Sequence, residues 1–378
     1  MKPLGVAVVG SGFIGPVHVE AIRRLGHTVI GMLGSNAERS RAAAASLGLP
    51  RSYGSMQELL ADDDVQVVHV TSPNKHHFEQ TKQAMLAGKH VLCEKPLAMT
   101  SEQSGELARI ADDLPTVTAV CYNVRFYPLC LEARARCGTL GPIHHVTGSY
   151  MQDWLLHETD FNWRVEAEAG GELRAVADIG THWMDLLSFI TGLEIEAVQA
   201  DLKTVHRLRH SPQGSVETFT STKSSQTTVL VPITTDDYGS ILLRFKGGAK
   251  GSFTVSQVTA GRKNCIRFDI AAAGASLAWD SEEPNTLAIG HRDRPNERLT
   301  RDPSLLDATA RPFANYPGGH AEGFPDTFKQ LFRAVYDRIA TGQPGPVPFP
   351  TFRDGHREVL LCEAILKSHR EQRWIHLS

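Results

Sequence analysis

The amino-acid sequence predicts an α/β fold with two domains: a parallel sheet in the N-terminal domain, then an α+β domain with a large open-faced, mainly antiparallel sheet. Short apolar segments alternate with helical ones up to about residue 125, which is typical of a parallel sheet covered on both faces. After about residue 140, several segments alternate apolar and polar residues, which indicates antiparallel strands with one exposed face. We therefore predict domains over residues 1–125 and 126–378.

The first domain is predicted to alternate strands and helices from its start. The apolar runs predict strands over residues 6–9, 28–33, 65–71, 90–94 and 117–122. Helical patterns lie between them, over residues 37–47, 56–61, 78–87 and 102–112. Thr100 and Gln103 form a capping box that predicts the start of the last of these helices.

The second domain is predicted to be mostly sheet with three long helices. Alternation predicts strands over residues 143–151, 197–205, 240–245, 251–258 and 266–272. The helices are expected over residues 173–191, 325–340 and 354–370. The charged segment 284–303, the polar segment 211–225 and the prolines at 344, 346, 348 and 350 predict surface loops or mobile stretches.

Composition argues against two classes of partner. A formal net charge of −3 over 378 residues gives no indication of a nucleic-acid partner. No run of about 18 apolar residues occurs, so no segment is expected to span a membrane. Six cysteines without a C-x-x-C pair predict reduced thiols, and we expect a cytoplasmic protein.

A glycine-rich string near the start indicates a dinucleotide site. Gly10-Ser11-Gly12-Phe13-Ile14-Gly15 follows a predicted strand and opens a helix, which is the context of the Rossmann fingerprint. The glycines allow a tight turn and close approach of a pyrophosphate, and the helix N-terminus offers amides to its phosphates. The first domain is therefore predicted to bind NAD or NADP.

The choice between NAD and NADP is left open by the end of the second strand. Gly34 stands where an acidic residue commonly holds the ribose 2′-hydroxyl. Ser35, Asn36 and Arg39 could contact a 2′-phosphate instead, although Arg39 is equally compatible with a solvated helix position.

Three segments end neighbouring strands and carry polar side chains. Ligands of open parallel sheets bind at the carboxyl ends of the strands. The segments are Thr71-Ser72-Pro73-Asn74 with His77, Glu94-Lys95-Pro96, and Tyr122-Asn123-Val124-Arg125. A lysine that ends a buried strand needs partners, which favours a functional role for Lys95, and the bond to Pro96 is a candidate cis peptide.

The second domain adds an acid and a base on one predicted helix. Asp178 and His182 are four residues apart, hence on one face, with Asp185 one turn further. A carboxylate beside a histidine orients the ring and stabilises its protonated form, which suits a general base. Such pairs are also common as purely structural features. With one histidine in the cluster, we expect no metal site.

Taken in order, these strings resemble the Gfo/Idh/MocA family of oxidoreductases, along essentially the whole chain. The segments 152–154 and 162–164, Gln-Asp-Trp and Asn-Trp-Arg, resemble more narrowly the levoglucosan-dehydrogenase-like branch, whose members act on pyranose sugars. The resemblance implies a Rossmann domain followed by the open-faced sheet, which such proteins commonly use to form a homo-dimer or homo-tetramer. It slightly favours NAD over NADP.

The same resemblance implies roles for individual residues. Lys95, Asp178 and His182 would be catalytic: His182 takes the hydroxyl proton, Lys95 binds the same oxygen, and Asp178 orients His182. The implied cofactor-binding residues are Gly10, Gly12, Phe13, Ile14, Gly15, Ser35, Asn36, Arg39, Thr71, Ser72, Pro73, Asn74, His77, Glu94, Lys95 and Asn123. The implied sugar-binding residues are Lys95, Tyr122, Arg125, Asp153, Trp154, Trp163, Arg164, Asp178 and His182, although each tryptophan is also compatible with the core.

The main functional hypothesis is reversible oxidation of a ring hydroxyl, at carbon 3 of a pyranose or glycoside. The alternative is a nicotinamide-dependent glycoside hydrolase, which needs a second base such as Tyr122, Asp153 or His157. A sensor without turnover is disfavoured because Lys95 and His182 are both present.

The charge of the sugar is also left open. Basic residues at 262–263, 292 and 294, together with Arg164, would favour an anionic sugar if they reach the pocket. Such runs are more often solvated loops.

Overall fold

The computed structural model describes residues 3–212, 228–343 and 345–377. Residues 213–225 of the predicted mobile segment lie outside the described residues. So does Pro344 of the proline cluster. The chain divides into two compact units. The first comprises Met1–Tyr122, Glu168–Gly171 and Phe328–Val359, and the second Asn123–Ala167, Glu172–Thr327 and Leu360–Ser378.

The first unit is a six-stranded sheet in which all strand pairs are parallel, as predicted. Its strands are β1 (Gly5–Val9), β2 (Thr28–Leu33), β3 (Arg51–Tyr53), β4 (Val67–Val70), β5 (His90–Cys93) and β6 (Thr118–Val120), in the order β3-β2-β1-β4-β5-β6. Its connecting helices are α1 (Ile14–Arg24), α2 (Ala37–Ser46), α3 (Met56–Leu60), α4 (His77–Leu86) and α5 (Ser101–Asp113). This is the Rossmann topology. The Thr100 cap of α5 is confirmed, because its hydroxyl accepts from the Gln103 amide.

The boundary of the first unit differs from the predicted division at residue 125, because residues 328–359 belong to it. The reason is aromatic packing on the sheet. Phe332 contacts the rings of His18 and His69, at centroid distances of 4.8 and 4.7 Å. No local sequence pattern predicts that residues 328–359 pack with the first unit.

The second unit contains a nine-stranded sheet with one parallel pair, β7 with β12, and otherwise antiparallel pairs. The strands are β7 (Ile143–Met151), β8 (Ile195–Lys203), β9 (Leu208–Pro212), β10 (Thr228–Pro232), β11 (Tyr238–Phe245), β12 (Lys250–Ser256), β13 (Cys265–Ala272), β14 (Ser276–Asp280), β15 (Thr286–Gly290), β16 (Glu297–Thr300) and β17 (Ile375–His376). The large sheet has the order β16-β15-β14-β13-β7-β12-β11-β8-β17, and β9 pairs with β10 separately. The remaining helices of the chain are α6 (Pro128–Cys137), α7 (Ala167–Gly170), α8 (Thr181–Thr191), α9 (Phe324–Thr341) and α10 (Phe352–Glu371). The predicted mainly antiparallel sheet is confirmed.

One sequence prediction for this unit is wrong. Residues 284–303 were expected to be a surface loop, but they contain β15 and β16, which pair antiparallel at the edge of the sheet. Leu287 and Ile289 alternate with exposed residues and face the core, and this short alternation was masked by the flanking charges.

Helix α8 is fixed on the large sheet by one tryptophan. The Trp183 ring stacks on Phe253 at 4.5 Å, and its Nε1 donates to the Arg267 carbonyl oxygen at 2.8 Å. The indole lies over Gly148 of β7, where a Cβ atom would come within 2.5 Å of Nε1. The glycine therefore creates the space that sets the rotation of α8, and with it the direction of His182.

A buried ionic cluster ties together several loops of the second unit. Arg174 and Arg209 both donate to the Asp237 carboxylate, Arg209 Nη2 at 2.8 Å from Oδ1. All three side chains are at most 1% exposed. Arg209 also donates to the carbonyl oxygens of Leu155, His157 and Asp160. Burial raises the pKa of Asp237, but the two guanidinium groups outweigh it and the net pKa is lowered.

No helix of the described residues is long and apolar enough to cross a bilayer. The six cysteines all lie within the described ranges, and no disulfide joins them.

We predict that Asp237→Ala destabilises the protein by about 3–5 kcal/mol, because it leaves two buried guanidinium groups without their counter-ion. Urea unfolding followed by circular dichroism measures the difference. The control is Glu194→Ala, which breaks the exposed pair with Lys246 and should cost less than about 1 kcal/mol. Equal effects of the two substitutions would contradict the prediction.

Candidate active site

The glycine-rich turn has the geometry of a phosphate-binding loop. Gly10 has φ +116°, and a Cβ atom there would lie 2.5 Å from the Thr71 carbonyl carbon. A Cβ on Gly15 would lie 2.3 Å from the Gly10 carbonyl oxygen, whereas one on Gly12 would meet no atom within 4 Å. Thr71 Oγ1 fixes the turn by donating to the carbonyl oxygens of Val9 and Gly10. Gly10 and Gly15 are thus required by the fold, and Gly12 leaves open space where a ligand can approach.

The start of α1 also suits an anion. Phe13 at the N-cap makes no side-chain capping bond, and the first turn, which begins at Ile14, carries no acidic residue. The positive end of the helix dipole is therefore not neutralised by the side chains of this turn. Together with the space at Gly12, the residues present fit the pyrophosphate of a dinucleotide.

The end of β2 is held by backbone and hydroxyl contacts rather than by an acid. The Gly34 amide donates to Ser40 Oγ at 2.8 Å, and a Cβ on Gly34 would lie 3.0 Å from the Ser40 nitrogen. Asn36 caps α2, its Oδ1 accepting from the Arg39 amide at 2.8 Å. Ser35 and the side chain of Arg39 are exposed. Asn36, one of the three residues predicted to contact the adenine ribose, therefore also caps a helix.

Side-chain hydrogen bonds fix the loop after β4 at two positions. Ser72 Oγ donates to Gln80 Oε1, and Asn74 Nδ2 donates to the Gly170 carbonyl oxygen. Pro73 precedes the short 3-10 helix Asn74–His76.

His77 connects this loop to the next one. It is 1% exposed, and its ring nitrogens lie 2.8 Å from the Ser72 carbonyl oxygen and 2.7 Å from that of Pro96. Burial lowers the pKa of His77, against the opposing effect of these carbonyls. We therefore assign His77 to positioning the two loops rather than to contacting the nicotinamide.

Glu94 and Lys95 follow β5 at the carboxyl edge of the sheet. The Lys95–Pro96 peptide bond is cis, as the sequence suggested. Glu94 is 8% exposed, its Oε2 accepts from the Lys95 amide at 3.1 Å, and its Oε1 lies 3.1 Å from His18 Nε2. The carboxylate is thereby oriented from two sides.

Asp178 and His182 lie at a change of helix type in the second unit. The predicted helix over 173–191 is divided: Val176–Gly180 is π-helical, and α8 follows. The Thr181 amide donates to the Val176 carbonyl oxygen, and the Thr181 hydroxyl satisfies the carbonyl oxygen of Ala177. Single π turns of this kind occur frequently at functional sites.

The start of this helical segment is capped by a buried acid. Asp236 accepts from the amides of Arg174 and Val176, at 2.6 and 2.9 Å. Burial raises the pKa of Asp236 to about 6. The cap fixes the chain directly before Asp178.

A hydrogen-bonded network surrounds the Asp178 carboxylate. Gln257 Nε2 donates to Asp178 Oδ2 at 2.9 Å and lies 3.3 Å from Gln152 Oε1. Gln152 Oε1 also accepts from Trp154 Nε1, at 2.5 Å. On the other side, Gln152 Nε2 and the Tyr150 hydroxyl both donate to Asn264 Oδ1, and the Tyr150 ring lies 6.2 Å from that of His182. The network connects Asp178 to Trp154 and Tyr150, and the Tyr150 ring lies near that of His182.

Arg164 lies between the acid and two indoles. Its Nε is 3.6 Å from Asp178 Oδ1, and its guanidinium carbon lies 4.5 Å from the Trp163 ring and 5.8 Å from the Trp154 ring. The Asn162 side chain holds this turn by accepting from the Arg164 amide. Three of the predicted sugar-binding residues, Arg164, Trp163 and Trp154, therefore form one cluster with Asp178.

Several other residues predicted to bind sugar or cofactor are buried or hydrogen-bonded to neighbouring side chains. Tyr122 is fully buried in the core of the first unit. In the second unit, Asn123 Nδ2 donates to Thr327 Oγ1, and Asp153 accepts from Lys263 Nζ at 2.7 Å. Arg125 is 6% exposed and pairs with Asp185 through two hydrogen bonds, which gives both a packing role. Burial of Tyr122 and the pairing of Arg125 with Asp185 disfavour the sugar contacts predicted for these two residues.

Gln257 and Asn264 belong to this cluster, although neither was predicted from the sequence. Gln257 directly follows β12 and Asn264 directly precedes β13, so both lie at strand ends, where site residues are common. An unexplained amide after a well-predicted strand is a usable signal for such residues.

Comparisons with known proteins agree with this architecture. Residues 4–122 match the family model described as "Oxidoreductase family, NAD-binding Rossmann fold", and residues 131–277 match the GFO/IDH/MocA C-terminal domain. Levoglucosan dehydrogenase of Pseudarthrobacter phenanthrenivorans is 28% identical over 99% of this chain and 98% of its own length. D-glucoside 3-dehydrogenase of Escherichia coli is 31% identical over 50% of this chain and 55% of its own.

A solved structure shows the same similarity in three dimensions. Levoglucosan dehydrogenase in complex with NADH and levoglucosan superposes with a TM-score of 0.88 and 27% identity, over 100% of both chains. The resemblance inferred from the sequence motifs is thus confirmed. The chain belongs to the GFO/IDH/MocA oxidoreductase family and is an NAD(P)-dependent oxidoreductase.

Proposed function

We propose that this protein oxidises a ring hydroxyl of a neutral pyranose or glycoside, at carbon 3, with NAD as its main cofactor. The observation that carries the proposal is the cluster of Asp178, Arg164 and two indoles beside the helix of His182. Indole rings are suitable platforms for sugar rings, and fixed polar groups beside them select hydroxyls. The sugar dehydrogenases among its relatives, two of them named 3-dehydrogenases, support the substrate class.

In this proposal His182 accepts the proton of the hydroxyl being oxidised. Lys95 donates a hydrogen bond to the same oxygen and stabilises the alkoxide as it forms. The Asp178 carboxylate, fixed by Gln257, stabilises the imidazolium that results. The nicotinamide, when bound, supplies the hydride acceptor for the carbinol carbon.

The cofactor would be held mainly by the first unit. The amides at the start of α1 would bind the pyrophosphate, and Glu94 would accept from the nicotinamide ribose. The preference for NAD rests on the family resemblance. The exposed Arg39 beside Ser35 leaves room for the 2′-phosphate of NADP.

A neutral sugar is supported by the pairing of the basic residues. Lys263 pairs with Asp153, Arg262 with Glu282, and Arg294 with Glu297. Arg292 is 95% exposed, as expected for a solvated loop. Arg164 faces Asp178, so its charge is already compensated. These contacts disfavour the anionic sugar that the sequence left open.

The hydrolase alternative receives less support from its suggested second bases. Tyr122 is fully buried, Asp153 is engaged by Lys263, and His157 is exposed on a turn.

We also propose that the protein forms a homo-dimer or homo-tetramer through the open face of the large sheet, where Leu242 on β11 is 49% exposed.

We predict that neutral glycosides give stoichiometric reduced nicotinamide, without release of the aglycone. A panel of glycosides with NAD⁺ or NADP⁺ tests this, when reduced cofactor and free aglycone are followed in the same sample. Aglycone release over many turnovers without net reduction would instead establish the redox-assisted hydrolase.

Lys95→Ala is expected to lower turnover by about 10²–10⁴-fold while leaving cofactor affinity nearly unchanged, because only the proton-transfer step loses its partner. Steady-state rates and cofactor titrations measure the two quantities. The matched control is Lys82→Ala on α4, whose ammonium pairs with Glu106. Wild-type turnover of the Lys95 variant would remove this lysine from the mechanism.

Gly12 and Gly15 should respond differently to the same substitution. Gly12→Ala is expected to fold with an unchanged melting temperature but to bind NAD about tenfold more weakly, since its Cβ meets only the space proposed for the pyrophosphate. Gly15→Ala should lower the melting temperature, because its Cβ overlaps the Gly10 carbonyl oxygen. Thermal unfolding without cofactor and NAD titration separate the two cases. Unaltered NAD affinity in the Gly12 variant would contradict the assignment.

A further inference from the structure

Four buried side chains of the first unit form a continuous hydrogen-bonded chain that ends on Glu94. The Tyr336 hydroxyl lies 2.8 Å from His69 Nε2, His69 Nδ1 lies 2.9 Å from His18 Nδ1, and His18 Nε2 lies 3.1 Å from Glu94 Oε1. Tyr336, His69 and His18 are at most 1% exposed. They come from α9, β4 and α1, so the chain crosses three elements of the unit.

Hydrogen-bond chemistry allows one arrangement of protons when Glu94 is ionised and both imidazole rings are neutral. The carboxylate can only accept, so His18 carries its proton on Nε2 and must accept at Nδ1 when neutral. His69 then donates from Nδ1 and accepts at Nε2, from the Tyr336 hydroxyl. Every donor in the chain points toward Glu94, and every ring nitrogen is satisfied.

The surroundings keep His69 and Tyr336 neutral. Burial lowers the pKa of His69 well below its usual value, with His18 as a second cause. Burial also raises the pKa of Tyr336, which keeps its proton. Phe328 and Phe332 pack against the His18 ring, the His27 ring packs on Tyr336, and Cys121 Sγ lies 3.8 Å from His18 Nε2. Burial raises the pKa of the Cys121 thiol well above its usual value.

We propose that His69 and Tyr336 are positioning residues for the cofactor: they fix the tautomer of His18, which holds the Glu94 carboxylate as an acceptor for the nicotinamide ribose. The inference rests on the proposed function for the role of Glu94. It goes beyond that function by placing the determinants of cofactor affinity on β4 and α9, where the sequence motifs give no signal.

The test compares Tyr336→Phe, His69→Leu and His69→Asn in the full-length protein. Tyr336→Phe and His69→Leu remove one donor each and are expected to raise the Kd for NAD about tenfold, with turnover at saturating NAD nearly unchanged. His69→Asn restores an amide N–H near the position of Nδ1 and should recover most of the affinity. The control is Tyr53→Phe, which removes another buried tyrosine hydroxyl, bonded to Asp62, and should leave the Kd unchanged.

Histidine ¹⁵N NMR gives a readout that a purely structural role does not move. Wild-type protein is expected to show His18 protonated on Nε2 and His69 on Nδ1, with the His18 preference lost in His69→Leu. NAD affinity that is unchanged in both donor-removing variants, or the opposite tautomers in the wild type, would overturn the inference. If NAD binds but no glycoside is oxidised, the proposed function fails, and the Kd and tautomer comparisons still decide this inference on their own.

Discussion

The adjacent acids Asp236 and Asp237 are the constraint on which the candidate site of the second unit depends. Asp237 holds Arg174 and Arg209 in the interior, and Arg209 in turn binds three carbonyl oxygens of the turn that follows Trp154. Asp236 caps the helical segment that carries Asp178. The Asp237 carbonyl oxygen also accepts from the Gln257 amide. One dipeptide before β11 therefore positions the aromatic loop, the acid and the amide that binds the acid.

Burying these charges is expensive unless each one is paired and hydrogen-bonded. A hydrophobic replacement of similar volume could pack there, but it could not hold loop carbonyls and a helix start in a fixed direction. The cluster is therefore better explained by the precision it gives to the site than by stability alone. Arg125 and Asp185 serve α8 in a comparable way, which is why a sequence motif that resembles a binding segment turns out to be a packing feature.

The sequence predicted those elements whose signal is local. The strand over 28–33 and the strand over 143–151 were placed with their observed ends, because alternation or a continuous apolar run is a property of neighbouring residues. Gly10 and Gly15 were recognised from their spacing in the glycine-rich string, and neither position leaves room for a Cβ atom. In contrast, the return of residues 328–359 to the first unit, and the contacts of Gln257 and Tyr336, depend on tertiary packing. They join residues far apart in sequence, and a single sequence carries no pattern for them.

The two carboxylates proposed to act in the reaction are supported in the same way within their own units. Asp178 is bound by Gln257, which lies beside Gln152, and Gln152 is fixed in turn by Asn264 and Trp154. Glu94 faces His18, which is followed by His69 and Tyr336. In each case a hydrogen-bonding side chain touches the acid, and further side chains determine which way that group faces. Asp178 has a charged partner in addition, because Arg164 Nε lies 3.6 Å from its Oδ1. Side chains that are themselves held by hydrogen bonds direct each carboxylate, with acceptor capacity remaining for a hydroxyl, and this is the property that binding a sugar or a ribose requires.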